Sequence, residues 1–502
     1  MDINNIELKY FFKFFIIILI FFFVFELNYY RHWSSIQDQD LTLIHNSLLL
    51  NSGFKAEYHD HPGHTKILFL SLWINFLDLI SFINISSYDS LKVSKNIKND
   101  FIELVTYSRF LNVIVGSLFI YVFYNINKTI TINKNSSYLL SILLITSFSF
   151  VNSISHIRTE LLSATFIMFS FLYLIKLVSK NFLKRKYIFF FGFFLILSIF
   201  SKFQSIFVFL FFPIFLSLIQ NKKIQMEYIF FEQRKIHIFL SIILFIFIFL
   251  IWFKYAKGLN LIFLPIFLLY LYLFLKYLDK KFFNNSKIFF IFLFYFFLGI
   301  SFSFIFLYVF KPFHTNNISM VVNFFGASSM FVQGSNPYSS NLFEVLKLLN
   351  IAFDSFFNYF RITFITYPYN EIIFILISLI TFNYNYKNNR KYLKNISMVY
   401  LFLFIIIFLF SVRPSKNYLI YFVPFIYIFF NYSIMNIKYK FFINSLIILL
   451  IFINFTARLT FIKDNKFLNQ EDIVCNEETL SNRNFFYDKM RIEILPFACK
   501  ED

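Results

Sequence analysis

The sequence contains 502 residues, of which 59% are hydrophobic, 24% aromatic and only 15% charged. Soluble globular domains carry about 25% charged residues, so this composition excludes a soluble enzyme, a disordered chain and a small disulfide-rich secreted domain. The mean hydropathy of +0.67 indicates instead an all-α polytopic membrane protein. The net charge of +19 need not indicate nucleic-acid binding, because membrane proteins collect Lys and Arg in their cytoplasmic loops.

Apolar runs along the chain predict about 13 transmembrane helices. They fall near residues 11–29, 105–126, 137–155, 161–179, 187–201, 203–220, 237–254, 260–275, 288–310, 367–383, 396–412, 418–435 and 441–458. The segment 66–84 is also apolar, but it carries Asp78 in its middle, which is a costly position in lipid. We therefore expect 66–84 to lie on, or dip into, the outer face of the membrane.

The placement of Lys and Arg predicts the orientation of the chain. Dense basic clusters, such as Lys184-Arg185-Lys186, fall in loops on the same side as the N-terminus, and the opposite loops contain fewer basic residues. The N-terminus is then cytoplasmic, in a bacterial inner membrane or, in a eukaryote, the endoplasmic reticulum. Residues 1–458 would form a transmembrane domain with outward loops at 30–104 and 311–366, followed by an outward tail at 459–502.

The two cysteines, Cys475 and Cys499, both lie in the predicted outward tail. A disulfide between them is plausible in an oxidising compartment. Two unpaired thiols are the alternative.

The first outward loop begins with an acidic pair, Asp38 and Asp40, followed by an apolar pattern. Leu and Ile side chains recur at helical spacing from Leu41 to Leu49, and Gly53 is a suitable C-terminal stop. The pattern predicts an amphipathic helix on the membrane surface, with two carboxylates at its start. Because a helix N-terminus favours acidic residues, simple capping is the alternative to a catalytic role.

The same loop contains His59, Asp60, His61 and His64 beside a Pro-Gly turn. Imidazole and carboxylate groups suit zinc, although this spacing is generic and surface histidines are common. The sequence therefore predicts no required cofactor and leaves a divalent metal ion open.

More ionisable residues lie at the predicted outer edges of the spans. They are Arg109, His156, Arg158, Glu160, Lys202, Arg413 and Lys416. Any one basic residue at this depth could simply reach toward lipid headgroups. Several of them, on the same side as the carboxylates of the first loop, indicate a functional site.

The order of these motifs resembles the GT-C superfamily of polyprenyl-phosphate-sugar glycosyltransferases, most closely the branch of protein O-mannosyltransferases and lipid A aminoarabinose transferases. The matching elements are Asp38-Gln39 through Leu49-Leu50 to Gly53, Tyr58 to Pro62, Arg109-Phe110-Leu111, Arg158 with Glu160, Ser201-Lys202, and Arg413 to Pro424. The chain departs from the pattern at Gln39, where the family has an acid, and at His61-Pro62-Gly63, where it has Lys-Pro or His-Pro-Pro.

The resemblance implies a GT-C-like fold and transfer of a sugar from a polyprenyl-phosphate-linked donor to a lipid, glycan or protein acceptor at the outer face, with inversion. Asp38 would be the general base, with Asp40 or Asp60 positioning the acceptor or replacing it. Lys202, Arg158 and Arg413 would stabilise the phosphate, with Arg109 and His61 as further candidates. Glu160 would orient Arg158, and His59 and Lys416 would support the site.

Two other functions stay open at this point. A transporter or flippase for a lipid-linked glycan would place its charges along a central path and often contains internal repeats, which we do not find. An O-antigen polymerase-type enzyme would carry its key arginines in large later loops, and the loop 311–366 contains only one arginine, Arg361. Nucleic acid is not among the expected partners.

Overall fold

The computed structural model describes most of the first half of the chain and parts of the second. The described residues are 3–29, 31–33, 40–57, 63–131, 134–180, 184–210, 212, 234–256, 264–269, 272–273, 286–310, 342–361, 369–386, 401, 404–405, 407–411, 415–433, 440–466, 475 and 499. They contain helices and no strand, which confirms the predicted all-α class.

Eleven helices are described before residue 212. They are α1 (Ile3–Asn28), α2 (Asp40–Asn51), α3 (His64–Leu79), α4 (Tyr88–Val93), α5 (Ile97–Arg109), α6 (Leu111–Thr131), α7 (Lys134–Thr146), α8 (Phe148–Ile154), α9 (Thr159–Lys180), α10 (Arg185–Ser201) and α11 (Ser205–Leu210). The break between α10 and α11 falls at Lys202, as the sequence predicted.

The described helices of the second half include six α-helices and one 3₁₀ helix. They are α12 (Arg234–Tyr255), α13 (Ser286–Phe310), α14 (Leu342–Arg361), α15 (Tyr369–Tyr386), the 3₁₀ helix Lys416–Tyr421, α16 (Val423–Ser433) and α17 (Lys440–Lys466). Helix α17 continues beyond residue 458, where the sequence predicted that the last span ends.

Within the described residues, four helices are long and apolar enough to cross a membrane. They are Ile97–Ile130, Thr159–Leu177, Phe290–Val309 and Phe441–Lys463. Asn135–Thr146 and Phe148–Ile154 form a fifth candidate span, bent by 57°. The count of 13 stays a prediction, because several of the apolar runs lie wholly or partly outside the described residues.

Helix α2 begins and ends where the sequence predicted, but it is not an exposed amphipathic helix. Every residue from Asp40 to Leu50 is buried, and Gly53 closes the helix with a positive φ of 79°. The polar side chains of α2 are buried because they find partners inside the fold. For example, Ser47 donates to the backbone oxygens of Leu43 and Ile67, at 2.7 and 3.1 Å.

Helix α3 (His64–Leu79) covers most of the apolar segment 66–84 that the sequence assigned to the outer face, and it ends five residues earlier. Leu72, Phe76 and Leu79 recur at helical spacing and are exposed, whereas the opposite side of the helix packs on α2 and α10. An apolar exposed face is what a helix at a lipid surface requires. Its position relative to the membrane stays a prediction.

Helix α10 packs between α9 and α13, and two glycines allow α10 and α13 to approach each other closely. A Cβ atom at Gly192 of α10 would collide with the backbone oxygen of Phe296, and one at Gly299 of α13 with that of Phe189. Ser303 then donates across the interface to the Phe193 oxygen at 2.8 Å. Small residues that bring backbones together are the usual means of helix packing in a membrane.

The two cysteines form the disulfide that the sequence suggested. The Cα atoms of Cys475 and Cys499 lie 5.4 Å apart. A pair of oxidised cysteines agrees with a tail exposed to an oxidising compartment.

Replacing Gly299 with Val should destabilise the α10–α13 interface. The added side chain would meet backbone, which cannot move aside as a side chain can, so we expect a loss of about 1–3 kcal/mol. The melting temperature of the purified protein in detergent would report this loss. Ile305→Val, at an exposed position of the same helix, is the matched control. Equal melting temperatures for the two variants would contradict the close approach.

Candidate active site

The ends of several helices meet at one place in the fold, and charged side chains concentrate there. The site contains the C-terminal ends of α1, α5, α8 and α10 and the first turns of α2, α3, α9 and the 3₁₀ helix. Direct contacts join these ends: Gly63 N donates to Ser201 O at 3.2 Å, and Asn152 Nδ2 to Asn417 Oδ1 at 2.8 Å. Side chains that are distant in sequence are therefore brought to one end of the helices.

Asp40, the first residue of α2, is fully buried in this cluster. Its Oδ1 accepts a hydrogen bond from Ile157 N at 2.9 Å, and its Oδ2 lies 3.7 Å from Arg109 Nε. Both carboxylate oxygens therefore face partners within the fold. The pair connects the start of α2 to the end of α5 and to the turn between α8 and α9.

Arg109 completes the pair from the end of α5 and is also fully buried. Its guanidinium nitrogens donate to the backbone oxygens of Asn28, Arg31, His32 and Trp33 at 3.2 to 3.5 Å. Its described contacts thus hold the segment that follows α1. Phosphate binding by Arg109 stays a prediction.

Glu160 lies in the first turn of α9 and is the second buried carboxylate of the site. Lys202 Nζ lies 3.3 Å from its Oε1, and Arg158 Nε lies 3.3 Å from its Oε2. One carboxylate thus holds two of the predicted phosphate-binding residues side by side. An acid in the first turn is also favoured by the helix dipole of α9.

Lys66 is a site residue that the sequence analysis missed. It is fully buried in the first turn of α3, and its Nζ lies 3.3 Å from Asn112 Oδ1. Burial lowers the pKa of Lys66 to about 8, and the nearby carboxylates of Asp40 and Glu160 oppose this shift. Lys66 is therefore mainly protonated at pH 7. The local sequence gave no signal, because Lys66 begins a run that is otherwise apolar.

His156 lies in the turn between α8 and α9 and is buried without a net charge. Burial and the charge of Arg31 hold its pKa well below its usual value. Its Nδ1 lies 3.0 Å from the backbone oxygen of Asn152, close enough for a hydrogen bond. A neutral imidazole costs less to bury than an imidazolium among several cations.

Lys416 begins the 3₁₀ helix and faces the same group of charges. Burial lowers its pKa, and the charges of Arg158 and Arg31 act in the same direction. The preceding residue, Ser415, caps this helix through the backbone N–H of Asn417, and its carbonyl accepts from Tyr359 of α14 at 3.3 Å. The later part of the chain thus contributes a cation to a site built mainly from the first 202 residues.

Positive charge exceeds negative charge among the described residues of the site. The cations are Arg31, Lys66, Arg109, Arg158, Lys202 and Lys416, and the carboxylates are Asp40 and Glu160. A buried excess of positive charge is unfavourable unless an anion neutralises it. The arrangement is therefore suited to binding an anionic group.

Five predicted site residues lie outside the described part of the chain. They are Asp38, Asp60, His59, His61 and Arg413. The structure brings together Asp40, Arg109, Arg158, Glu160, Lys202 and Lys416, in company with Arg31, Lys66 and His156. The described ranges contain no group of three His, Cys, Asp or Glu residues able to hold a metal ion. The metal question stays open, since His59, Asp60 and His61 are not among them.

Replacing Asp40 with Asn should destabilise the fold strongly. The substitution leaves Arg109 as a buried cation without its carboxylate, and removing one partner of a buried ion pair typically costs about 3–5 kcal/mol. A large drop in melting temperature in detergent is expected. Asp78→Asn, at an exposed position of α3, removes the same charge and should leave the melting temperature almost unchanged.

The protein should lose stability as the pH falls below about 6.5. His156 stays neutral in the fold whereas an unfolded histidine takes up a proton near that pH, so the unfolded state binds more protons and is favoured. Melting temperatures from pH 7.5 to 5 would measure the slope. The His156→Asn variant should show a shallower slope. An identical slope in both proteins would show that other groups control it.

Comparisons with known proteins identify no family for this chain. No protein-family model matches it, and no curated protein matches it. Among solved structures it is similar to the crystal structure of the Archaeoglobus fulgidus oligosaccharyltransferase in complex with Zn and sulfate, with a TM-score of 0.45 and 12% sequence identity. The similarity covers 97% of this chain and 58% of that one, so the chain spans less than two thirds of the length of that protein. Similarity at this level assigns no function.

Proposed function

We propose that this protein is a membrane glycosyltransferase of the GT-C type, which moves a sugar from a polyprenyl-phosphate-linked donor to a lipid, glycan or protein acceptor at the outer face. The observation that supports the proposal is the cluster of cations that gathers, among the described residues, around Asp40 and Glu160 at the ends of apolar helices. A lipid-linked phosphate is an anion that arrives from the membrane itself. The order of sequence motifs supports the same conclusion.

Arg158 and Lys202 are the proposed ligands of the donor phosphate. Both contact Glu160, which fixes their positions before the donor arrives, and preorganised cations in a low-dielectric site stabilise a leaving anion best. Lys416 and Arg413 would add charge from the later part of the chain. Arg158 is the more exposed of the two proposed ligands, with 13% of its side chain accessible, against 1% for Lys202.

Asp38 is the proposed general base. Asp40 Oδ1 accepts the Ile157 N–H and Oδ2 faces Arg109 at 3.7 Å, which favours a positioning role for Asp40 and leaves proton transfer to another carboxylate. Asp38 precedes Asp40 by two residues. Because two residues of extended backbone span about 7 Å, the anchored Asp40 keeps the backbone of Asp38 within that distance of its own. Arg109 would then act as a positioning residue, because its ion pair holds Asp40 in place.

The proposed reaction has one displacement. The acceptor hydroxyl oxygen attacks C1 of the sugar and its proton passes to Asp38. The bond from C1 to the phosphate oxygen breaks on the opposite side, and the polyprenyl phosphate leaves with the electron pair. A single displacement inverts the configuration at C1.

Replacing Asp38 with Asn should abolish sugar transfer while leaving expression and membrane insertion intact. The test uses membranes containing the full-length protein and undecaprenyl phosphate linked to radiolabelled mannose, glucose or aminoarabinose. Release of label from the donor is measured for each sugar. Asp89→Asn, at an exposed position of the same predicted loop, is the matched control and should retain full activity.

Two results would contradict the proposal in different ways. Full activity of the Asp38→Asn protein would exclude Asp38 as the base while keeping the reaction. Translocation of the intact lipid-linked sugar across proteoliposomes, without its cleavage, would favour a transporter instead.

A further inference from the structure

Lys66 is a buried cation on which the carboxylates of Asp40 and Glu160 act only from a distance. Among the residues described, no carboxylate lies within ion-pair distance of its Nζ, and its described hydrogen bond goes to the neutral amide of Asn112. A buried lysine loses its hydration, and a neutral amide oxygen compensates only part of that loss. A methionine of similar length would fill the same space without burying a charge.

Asn112 does not depend on Lys66 for its own position. Its Nδ2 donates to the backbone oxygens of Ile154 and His156, at 2.9 and 2.8 Å, so its amide plane is held by the turn after α8. The hydrogen bond to Lys66 is therefore an addition to an arrangement that is already complete. The contacts to the backbone explain why an amide lies at position 112. They do not explain why the residue beside it carries a positive charge.

The surroundings of Lys66 connect it to the proposed phosphate ligands. Thr65, its neighbour in the first turn of α3, donates to Leu197 O of α10 at 3.2 Å, and Gly63 N donates to Ser201 O. The start of α3 thus packs on the end of α10, next to Lys202. The charge of Lys66 also acts on Glu160, the carboxylate that holds Arg158 and Lys202.

We infer that Lys66 is a further cation of the donor site, whose buried charge raises the affinity for the lipid-linked phosphate held by Arg158 and Lys202. This inference rests on the proposed function. Lys66 acts through the low-dielectric interior, where charges interact over several ångströms with little screening by salt. It would stabilise the phosphate through space without touching it, and the fold does not require its charge.

Binding of undecaprenyl phosphate to the purified full-length protein in nanodiscs tests the inference. Lys66→Gln keeps a donor for Asn112 and removes the charge, and Lys66→Met removes both. Each variant should raise the dissociation constant at least tenfold, which corresponds to about 1.4 kcal/mol. Lys66→Arg should stay close to the wild type. The loss should persist at 0.5 M salt, because salt screens buried charges much less than exposed ones.

Three controls separate this effect from others. Lys95→Met removes an exposed lysine from the same predicted loop and should leave binding unchanged. Neutral undecaprenol and inorganic phosphate distinguish recognition of the lipid from recognition of the free anion, and the Lys66 variants should weaken the phosphate-bearing ligands alone. Without ligand, Lys66→Met should melt at the wild-type temperature or above, since a buried charge has been removed.

The possible outcomes are distinct. In the first outcome, the wild-type protein binds undecaprenyl phosphate, Lys202→Met abolishes this binding and Lys66→Gln leaves it unchanged. The inference then fails and the proposed function stands. If the wild type binds none of the phosphate-bearing ligands, both fail. If Lys66→Gln and Lys66→Met both fail to fold, Lys66 is required for the structure and the inference is wrong.

Discussion

The buried ion pair between Asp40 and Arg109 is the constraint on which this end of the structure depends. Two buried charges need partners inside the fold. The carboxylate accepts from Ile157 N, and the guanidinium donates to the carbonyls of residues 28 and 31–33. These bonds join the segment after α1, the start of α2, the end of α5 and the turn before α9. Because a half-broken pair leaves a buried charge, these four parts of the chain must assemble together.

Glu160 positions two of the cations that lie next to this ion pair. Its carboxylate contacts both Lys202 and Arg158, so that cations outnumber carboxylates in this group of described residues. Cations held in place in a buried, low-dielectric site interact strongly with an anion. The lipid-linked phosphate of the proposed donor would be such an anion.

The part of the site that the sequence predicted consists of residues at the ends of recognisable helices. Arg158, Glu160 and Lys202 stood out because ionisable side chains interrupt apolar runs, and such interruptions are detectable locally. Lys66 gave no such signal, since its partner Asn112 lies 46 residues further along the chain. The same limit explains the error about α2, whose polar side chains looked solvent-exposed in the sequence but find partners in neighbouring segments.

The sequence by itself determined the membrane class of the protein, the start and stop of α2, the break at Lys202 and the gathering of ionisable residues at the predicted outer edges of the spans. Hydropathy and helical periodicity are local properties, so they can be read without the fold. Only the tertiary structure decided which charged and polar side chains contact each other. Asp40 reaches Ile157 across 117 residues, and Asn152 reaches Asn417 across 265. Such pairing depends on how helices pack, and no local pattern encodes it.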